Sequence, residues 1–258
     1  MTQPLDQREI EALAPGWRVQ VFDEVRSTND VARSLGLQGE DACLAVLAEA
    51  QTAGRGQRSN RWVTPRGLDI MLSVLLRPTV PVNLWPRLTT LAALASAEAI
   101  EDVCPVKALI KWPNDVYIGQ RKVCGLLAET VFGKQPFIIL GIGLNVNTRD
   151  FPPELANLAT SLANEVGTPV PRVPVAAALL NRLTERLGQW EAGFEQALMT
   201  VRERSMLLGR TIRARVEERI VHGRVRELNH EGHLVLERVD GSTEVLTSAA
   251  EVRPDAFL

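Results

Sequence analysis

Short apolar blocks recur along residues 19–150, and each is bounded by glycine, proline or charged residues. The blocks are VQVFDEV, CLAVLAEA, IMLSVLLR, VCGLLAETV and FIILGIGLNV. The first alternates apolar and polar positions, as a half-buried strand does, whereas the others are nearly continuous, as in strands that are covered on both faces. The pattern predicts short strands interleaved with a few helices.

Three segments have the periodicity of helices. STND, at residues 27–30, places a cap-forming residue three positions before an acid and predicts a helix to about Leu35. Residues 84–103 are rich in alanine and apolar on most faces, so we expect this helix to pack against the sheet. Apolar residues between positions 176 and 194 recur every three or four positions and predict one long helix.

A different pattern begins after about residue 208. The segments TIRARV, VHGRVREL, HLVLERV and TEVLT are brief, alternate in polarity and are joined by Gly, Asn and Asp turns, which is typical of a small antiparallel barrel. We therefore predict an α+β chain of two domains. Residues 1–208 form a mixed sheet flanked by helices, and residues 209–258 form a small β-barrel.

Composition and charge exclude several classes of protein. The 258 residues are 45% hydrophobic and 23% charged, with a net charge of -2, so the chain as a whole has no electrostatic reason to bind a polyanion. The N-terminus lacks the basic start and apolar run of a signal peptide, and the longest apolar stretch is too short to span a bilayer. We expect a cytoplasmic protein without a membrane segment.

The residues that most often hold metals or act as nucleophiles are sparse. Cys43, Cys104 and Cys124 form no CxxC pair, which favours reduced core thiols over a disulfide framework or a zinc site. All three histidines lie at or beyond position 222, so a histidine-based metal or nucleophile site is excluded from the large domain.

The loop QTAGRGQRSNRW, residues 51–62, concentrates positive charge. No acid occurs between positions 51 and 68, a stretch that contains Arg55, Arg58, Arg61 and Arg66. Gly54 and Gly56 have no Cβ to keep a ligand from the backbone, and guanidinium groups match a carboxylate or a phosphate. Composition leaves two interpretations open, an anion-binding loop or a solvated connection. A Walker A loop is excluded because GxxxxGK[ST] is absent.

KWPNDV, at residues 111–116, is a second unusual string. Lys111 ends the apolar segment ALIK, and the Pro-Asn-Asp that follows predicts a turn, so the lysine is placed at a strand end, where binding sites form. An interior lysine would require an anionic partner, whereas a solvent-facing lysine would carry no function. Both interpretations stay open at this point.

Glycines inside two of the predicted strands indicate either close approach of a ligand or a β-bulge. They lie in RKVCGLLAE, residues 121–129, and in GIGLNVN, residues 141–147. The latter is not a dinucleotide-binding motif, because Val146 occupies the position of the third glycine. Ser27, Thr28 and Asn29 are likewise open to two interpretations, a helix cap or a set of ligand contacts.

These strings, in this order, resemble those of biotin protein ligases: STN at 27–29, QTAGRG at 51–56 followed by Trp62, KWPNDV, RKVCGLLAE and GIGLNVN. The resemblance implies the class II synthetase-like catalytic fold over about residues 20–208 and an SH3-like C-terminal domain. It also implies a ligase of the biotin-[acetyl-CoA-carboxylase] type. Such an enzyme forms biotinyl-5'-AMP from biotin and ATP, then transfers biotin to a lysine of a biotin carboxyl carrier domain.

The resemblance also assigns residues. Lys111 and Arg55 are implied as the catalytic cations. Contacts to biotin and the adenylate are implied for Ser27, Thr28, Asn29, Gln51, Gly54, Arg55, Gly56, Gln57, Trp62, Lys111, Gly125, Leu127, Gly141 and Gly143. Contacts to ATP or its Mg²⁺ are implied for Arg58, Asn114 and Asn145, with the ion carried by ATP instead of a protein-held site.

Alternatives remain beside this interpretation. Lipoate ligases and octanoyltransferases resemble biotin ligases in fold, and a non-catalytic RNA- or ligand-binding module would also use an arginine loop. Relatives that repress transcription carry an N-terminal winged helix, and the match here begins about 20 residues into the chain, so we expect no DNA binding. The sequence leaves monomer and homodimer both open.

Overall fold

The computed structural model describes residues 3–57 and 60–255, and within them the chain forms two sheets and six α-helices. The helices are α1 (Gln7–Leu13), α2 (Thr28–Leu37), α3 (Arg87–Val103), α4 (Leu162–Val166), α5 (Arg172–Leu187) and α6 (Phe194–Glu203). The strands of the first sheet are β1 (Arg18–Phe22), β2 (Leu44–Ala48), β3 (Ile70–Leu76), β4 (Ala108–Lys111), β5 (Asp115–Ile118), β6 (Arg121–Val131) and β7 (Phe137–Leu144). Those of the second are β8 (Thr211–Val216), β9 (Arg219–Leu228), β10 (Leu234–Glu237), β11 (Thr243–Leu246) and β12 (Ala250–Pro254).

The first sheet is mixed, as the sequence predicts. Its strand order is β1-β2-β3-β7-β6-β5-β4, with β1 and β2 parallel and the other neighbours antiparallel. Every apolar block that predicts a strand forms one. Three short elements that the hydrophobic pattern does not indicate, α1, α4 and β5, complete this part of the chain.

The two faces of the first sheet have different cover. On one face, alternate strand residues such as Leu72, Leu140 and Ile142 join α3 and α5 in the main core. On the opposite face, a smaller apolar cluster lies under α2 and includes Leu75 and Ile139. Because α2 is short, it covers only part of that face.

The predicted long helix over residues 176–194 is wrong, because the chain forms two helices there. α5 ends at Leu187, and Gly193, at φ 97°, precedes α6 in the left-handed conformation that glycine adopts readily. Between the helices, Trp190 Nε1 donates a 2.8 Å hydrogen bond to the carbonyl of Leu84. The apolar stripe continues past the break because both helices pack on the same core.

The second sheet is antiparallel, with the order β11-β10-β9-β8-β12. It is consistent with an SH3-like domain, although its outer strands β11 and β12 are not paired with each other, so no closed barrel forms within the described residues. Strand β12 has no counterpart in the sequence prediction. The domain boundary after residue 208 stays a prediction; it falls between the end of α6 and the start of β8.

The structure also bears on the predicted core thiols and on whether a helix could cross a membrane. Cys104 and Cys124 are buried, as expected of core thiols, but Cys43 is exposed, since it lies in a turn at φ 61° before β2. Among the described residues, no helix combines the length and the apolar character that crossing a membrane requires.

Candidate active site

Three neighbouring strands place small residues in line on the face of the sheet that α2 covers only in part. In the sheet register, Gly143 of β7 pairs with Gly125 of β6, and Gly141 pairs with Ser73 of β3. Since glycine has no side chain and serine a short one, this part of the face is a depression between larger residues. It forms the floor of a cavity.

The glycines of β7 are there because other side chains come very close. A Cβ built on Gly141 would lie 2.4 Å from Asn29 Oδ1, and one built on Gly143 would lie 2.4 Å from Trp62 Cε2. The register of β7 is unbroken up to Leu144 against both of its neighbours, so the β-bulge interpretation is wrong for Gly141 and Gly143. In β6, the register against β5 shifts between the pairs Val116–Cys124 and Tyr117–Lys122, next to Gly125, as the bulge interpretation of that string predicts. The glycines allow close approach, as the other interpretation predicts.

Most of the residues that the sequence singles out meet in this cavity. Its lining contains Ser27, Thr28, Asn29, Gln51, Arg55, Gly56, Gln57, Trp62, Asn114, Gly125, Leu127, Gly141 and Gly143. It also contains Met71, Leu72, Lys122, Leu126 and Ile142, which the sequence does not single out. The cavity therefore joins α2, the arginine loop and strands β3, β6 and β7.

The polar end of the cavity lies at the start of α2. Ser27 is the N-cap residue, but its side chain makes no capping hydrogen bond. Thr28 donates from its backbone N–H to Gln51 Oε1 at 2.8 Å, and its hydroxyl lies 3.1 Å from the same oxygen. Ser73 Oγ is 2.7 Å from Thr28 Oγ1 and 2.5 Å from Asn29 Oδ1. Hydroxyl and amide groups of this kind suit a neutral ligand group with both donors and acceptors.

Arg55 brings the arginine loop, residues 51–62, to the same end of the cavity. Its guanidinium forms ion pairs with Asp30 of α2 at 2.7 Å and with Glu129 of β6 at 3.0 Å. Glu129 Oε2 also accepts a 2.6 Å hydrogen bond from Asn29 Nδ2. Arg55 is therefore paired with carboxylates beside the cavity while its side chain stays 39% exposed, and the anion-binding interpretation of the loop stays a prediction.

Trp62 ends the arginine loop and packs over the glycine floor of the cavity. Its backbone N–H donates to the carbonyl of Gly54 at 3.1 Å. A Cβ on Gly54 would lie only 2.3 Å from the carbonyl oxygen of Trp62, so this turn requires glycine. The indole lies against Gly143 and Gly125, and its buried Nε1 has no hydrogen-bond partner among the residues that the structure describes. A buried donor without a partner is costly, so the indole is suited to meeting a ligand acceptor.

The lysine in the cavity is Lys122, not Lys111. Lys122 Nζ forms a 2.6 Å ion pair with Asp115 Oδ1 and lies 5.6 Å from the centre of the Trp62 ring. A Cβ on Gly125 would lie 2.9 Å from the same Nζ. Lys122 belongs to the string RKVCGLLAE that the sequence analysis quotes, but nothing in its local pattern distinguishes it from Lys111.

Lys111 lies outside the cavity lining, although it is part-buried. Its Nζ is 3.2 Å from the hydroxyl of Tyr117 and 5.1 Å from the centre of that ring. Burial, together with the nearby charges of Lys122 and Arg253, lowers the pKa of Lys111, while Asp115 opposes the shift. The cationic role that the resemblance gives to Lys111 stays a prediction, with Lys122 better placed for it.

The remaining residues that the resemblance assigns are not all part of the cavity lining. Asn114 lines the cavity and donates from Nδ2 to the Leu126 carbonyl at 2.9 Å. Asn145 is buried outside the lining, where its Nδ2 donates to the carbonyl of Thr160 at 2.9 Å. Gly54 supports the loop from outside the lining, and Arg58 lies outside the described residues. In the described ranges, no group of three or more His, Cys, Asp or Glu side chains could hold a metal ion.

Comparison with known proteins gives consistent matches. The profile of the biotin/lipoate A/B protein ligase family matches residues 21–147. A biotin--[acetyl-CoA-carboxylase] ligase of Mycobacterium tuberculosis is 36% identical over 96% of this chain and 95% of its own. The bifunctional ligase/repressor BirA of Bacillus subtilis is 32% identical over 92% of this chain and 74% of its own.

Solved structures agree with these matches. The biotin protein ligase from Aquifex aeolicus in complex with biotin and ATP has a TM-score of 0.82 and 29% sequence identity. The match covers 92% of this chain and 99% of that one. Its apo structure matches with a TM-score of 0.78 over the same shares of both chains.

Proposed function

This chain belongs to the biotin/lipoate A/B protein ligase family, and on that premise we propose that it is an ATP-dependent biotin protein ligase. It joins biotin to AMP and then transfers the biotinyl group to a lysine of the biotin carboxyl carrier domain of acetyl-CoA carboxylase. Homologues named as biotin--[acetyl-CoA-carboxylase] ligases support the substrate, and a solved relative that holds biotin and ATP supports the use of ATP.

The observation that carries the proposal is the composition of the cavity. Hydroxyl and amide groups of Thr28, Asn29 and Gln51 surround one end, the glycine floor follows, and the cations Arg55 and Lys122 lie at the cavity. Biotin has a matching form, with a neutral ureido ring that donates and accepts hydrogen bonds, an apolar chain and a terminal carboxylate. We propose that the ring meets α2, near Arg55, and that the carboxylate points to Lys122, which lies by Trp62 and Gly125.

The first step needs charge neutralisation more than a base. A carboxylate oxygen of biotin attacks the α-phosphorus of ATP, the bond to pyrophosphate breaks, and a mixed anhydride forms. Because the carboxylate is already ionised, no group must remove a proton from it. Lys122 lies where its charge would offset both the carboxylate and the phosphate, and positioning plus electrostatic stabilisation dominate phosphoryl chemistry.

In the second step, the deprotonated amine of the carrier lysine attacks the acyl carbonyl, and AMP leaves with the electron pair of the broken anhydride bond. The proton lost from the amine passes to solvent or to the departing phosphate. Mg²⁺ enters with ATP in this proposal and offsets the charge of the leaving pyrophosphate. Absence of DNA binding, the oligomeric state and the cytoplasmic location stay predictions.

The test is pyrophosphate release by the purified protein with ATP and Mg²⁺, with biotin or lipoate in parallel reactions. We expect release with biotin only, and biotin on the acceptor lysine when an apo carrier domain is added. Release with lipoate alone would move the protein to the lipoate branch of the family. Release with neither acid, in a protein whose melting curve shows that it is folded, would contradict the proposal.

The two lysines provide a sharper test of the chemistry. We expect Lys122→Gln to lower kcat/KM for biotin-dependent pyrophosphate release by about 100-fold or more, as removal of a charge from a transition-state site does. Lys111→Gln should lower it by less than about 10-fold, because Lys111 lies outside the cavity lining. A larger loss in Lys111→Gln would return the role to Lys111, and equal losses would contradict its assignment to Lys122 alone.

A further inference from the structure

Glu129 does not line the cavity, yet it touches two residues that do. Its Oε2 accepts a 2.6 Å hydrogen bond from Asn29 Nδ2 and a 3.0 Å hydrogen bond from Arg55 Nη2. Asn29 belongs to α2, whereas Arg55 belongs to the loop between β2 and β3. One carboxylate therefore ties together a helix and a loop that approach the cavity from different parts of the chain.

The first contact fixes the orientation of the Asn29 amide. An ionised carboxylate can only accept hydrogen bonds, so the side of Asn29 that faces Glu129 must be its NH₂ group. The Asn29 oxygen then faces Ser73, whose hydroxyl lies 2.5 Å away and donates to it. Both Ser73 and Asn29 are buried, so leaving the Asn29 oxygen without this partner would be costly.

The second contact holds Arg55 beside that amide. Arg55 has another acidic partner, Asp30, at 2.7 Å, but the hydrogen bonds of Asn29 run to Glu129 and Ser73. Among the described residues, the carboxylate that touches both Asn29 and Arg55 is thus Glu129. Asp30 can hold the loop, whereas Glu129 can hold the loop and orient α2.

We propose that Glu129 is a positioning residue of this active site, which orients Asn29 toward the ligand and holds Arg55 over the cavity. The role rests on the proposed function. Glu129 acts through these two side chains and does not touch substrate. Alternation along β6 places it on the same face as Gly125 and Leu127, which line the cavity.

Two measurements on Glu129→Ala and Glu129→Gln test the role. In the ligand-free protein, we expect trypsin to cleave after Arg55 several-fold faster in Glu129→Ala, because the guanidinium loses one of its two acidic partners. In the pyrophosphate assay, KM for biotin should rise about 10-fold, with a smaller change in kcat, as expected when a charge-assisted hydrogen bond is lost. Glu129→Gln, which retains an acceptor oxygen, should fall between Glu129→Ala and the unmodified protein.

Comparison variants separate positioning from general support of the fold. Asp30→Ala should accelerate cleavage after Arg55 but leave KM for biotin less changed than Glu129→Ala does. Glu185→Gln, which removes one partner of Arg182 on α5, should change neither measurement. In a double-mutant cycle on KM, Arg55→Ala and Glu129→Ala should be non-additive by more than about threefold, since they remove the same contact.

The results that would overturn the role of Glu129 differ from those that would overturn the proposed function. If the unmodified protein releases no pyrophosphate with biotin, the proposed function fails, while the trypsin comparison still tests the link between Glu129 and Arg55. Unchanged cleavage in Glu129→Ala would overturn the role for Arg55. A fully additive double-mutant cycle, or equal KM changes in Asp30→Ala and Glu129→Ala, would overturn the role of Glu129 in joining the two residues.

Discussion

At the scale of single residues, the missing side chain of Gly141 decides how closely α2 approaches the sheet. Asn29 Oδ1 occupies the space that a Cβ would need, and its hydrogen bonds to Ser73 and Glu129 keep it there. Lys122 is a comparable case, because its Nζ lies over Gly125 and is held by Asp115. At both positions, a glycine on the strand makes room for a polar group, which comes from α2 at Gly141 and from the same strand at Gly125.

The requirement for glycine can be tested at Gly141. Because β7 is central and Asn29 is buried, Gly141→Ala should lower the free energy of unfolding by about 1–3 kcal/mol, as overpacking does, and should raise KM for biotin. Denaturant unfolding and the pyrophosphate assay measure the two effects. Gly133→Ala is the matched control, since a Cβ there meets nothing within 4 Å. If the two variants have similar free energies of unfolding and similar KM values for biotin, Asn29 can move away from a Cβ at position 141 without cost.

At the scale of elements, α3 and α5 lie side by side, and two arginine–carboxylate pairs join them along the exposed edge of the contact. Arg182 binds Asp102 through two hydrogen bonds of 2.6 and 2.7 Å, and Arg186 Nε binds Glu98 at 2.7 Å. Burial of the apolar stripes supplies most of the stability of this helix pair, because partly exposed ion pairs contribute about 0–1 kcal/mol each.

The Asp102 pair gives a pH-dependent prediction. The hydrogen bonds from Arg182 hold the pKa of Asp102 below its ordinary value of 3.8 in the fold, against a smaller opposing effect of burial. The stabilisation is therefore complete above pH 3.8 and is lost as pH falls through the folded pKa. We expect Asp102→Asn to cost about 0.5–1 kcal/mol at pH 7 and progressively less toward pH 3, measured by urea unfolding. The control is Asp150→Asn, at an exposed carboxylate without an ion pair in the described residues; a constant difference across this pH range would contradict the assignment.

At the scale of the whole molecule, the second sheet is attached to the first through specific polar contacts beside the KWPND turn. Trp112 Nε1 donates a 3.0 Å buried hydrogen bond to the carbonyl of Gly232. Arg202, near the end of α6, donates to the carbonyl of Leu228 at 2.7 and 3.0 Å. Since Trp112 directly follows Lys111, the orientation of the C-terminal strands and the structure of this turn depend on each other.

This attachment can be weakened by removing the indole N–H donor, and a second tryptophan provides the control for the smaller ring that the substitution leaves. Trp112→Phe leaves the Gly232 carbonyl without its partner, which should cost about 1–3 kcal/mol and accelerate amide hydrogen exchange around residues 229–233. Trp190→Phe removes a similar hydrogen bond, to Leu84, inside the first part of the chain. It should therefore destabilise the protein without selective exchange in the second sheet. Equal exchange patterns in the two variants would show that Trp112 does not hold the C-terminal strands.

Much of this molecule follows from its amino-acid sequence alone. Apolar blocks bounded by Gly, Pro and charged residues determined five strands of the first sheet, because a strand that is buried on one or both faces requires alternating or continuous apolar residues. The ordered strings from STN to GIGLNVN determined the family, and most of the residues in them meet at one cavity. The short elements α1, α4, β5 and β12 could not be predicted, since a few residues carry too little periodicity.

The tertiary structure alone decided which of two lysines faces the cavity and which acids hold Arg55. These choices depend on sheet register and on contacts between distant parts of the chain. Asn29 and Glu129 are 100 positions apart, and Arg55 and Glu129 are 74 apart, so no local pattern relates them. The helix break before Gly193 has both a local and a long-range contribution, since Gly193 adopts φ 97° and the Trp190 indole is held by the Leu84 carbonyl, 106 positions away. Local patterns specify elements, whereas the packing of those elements specifies the site.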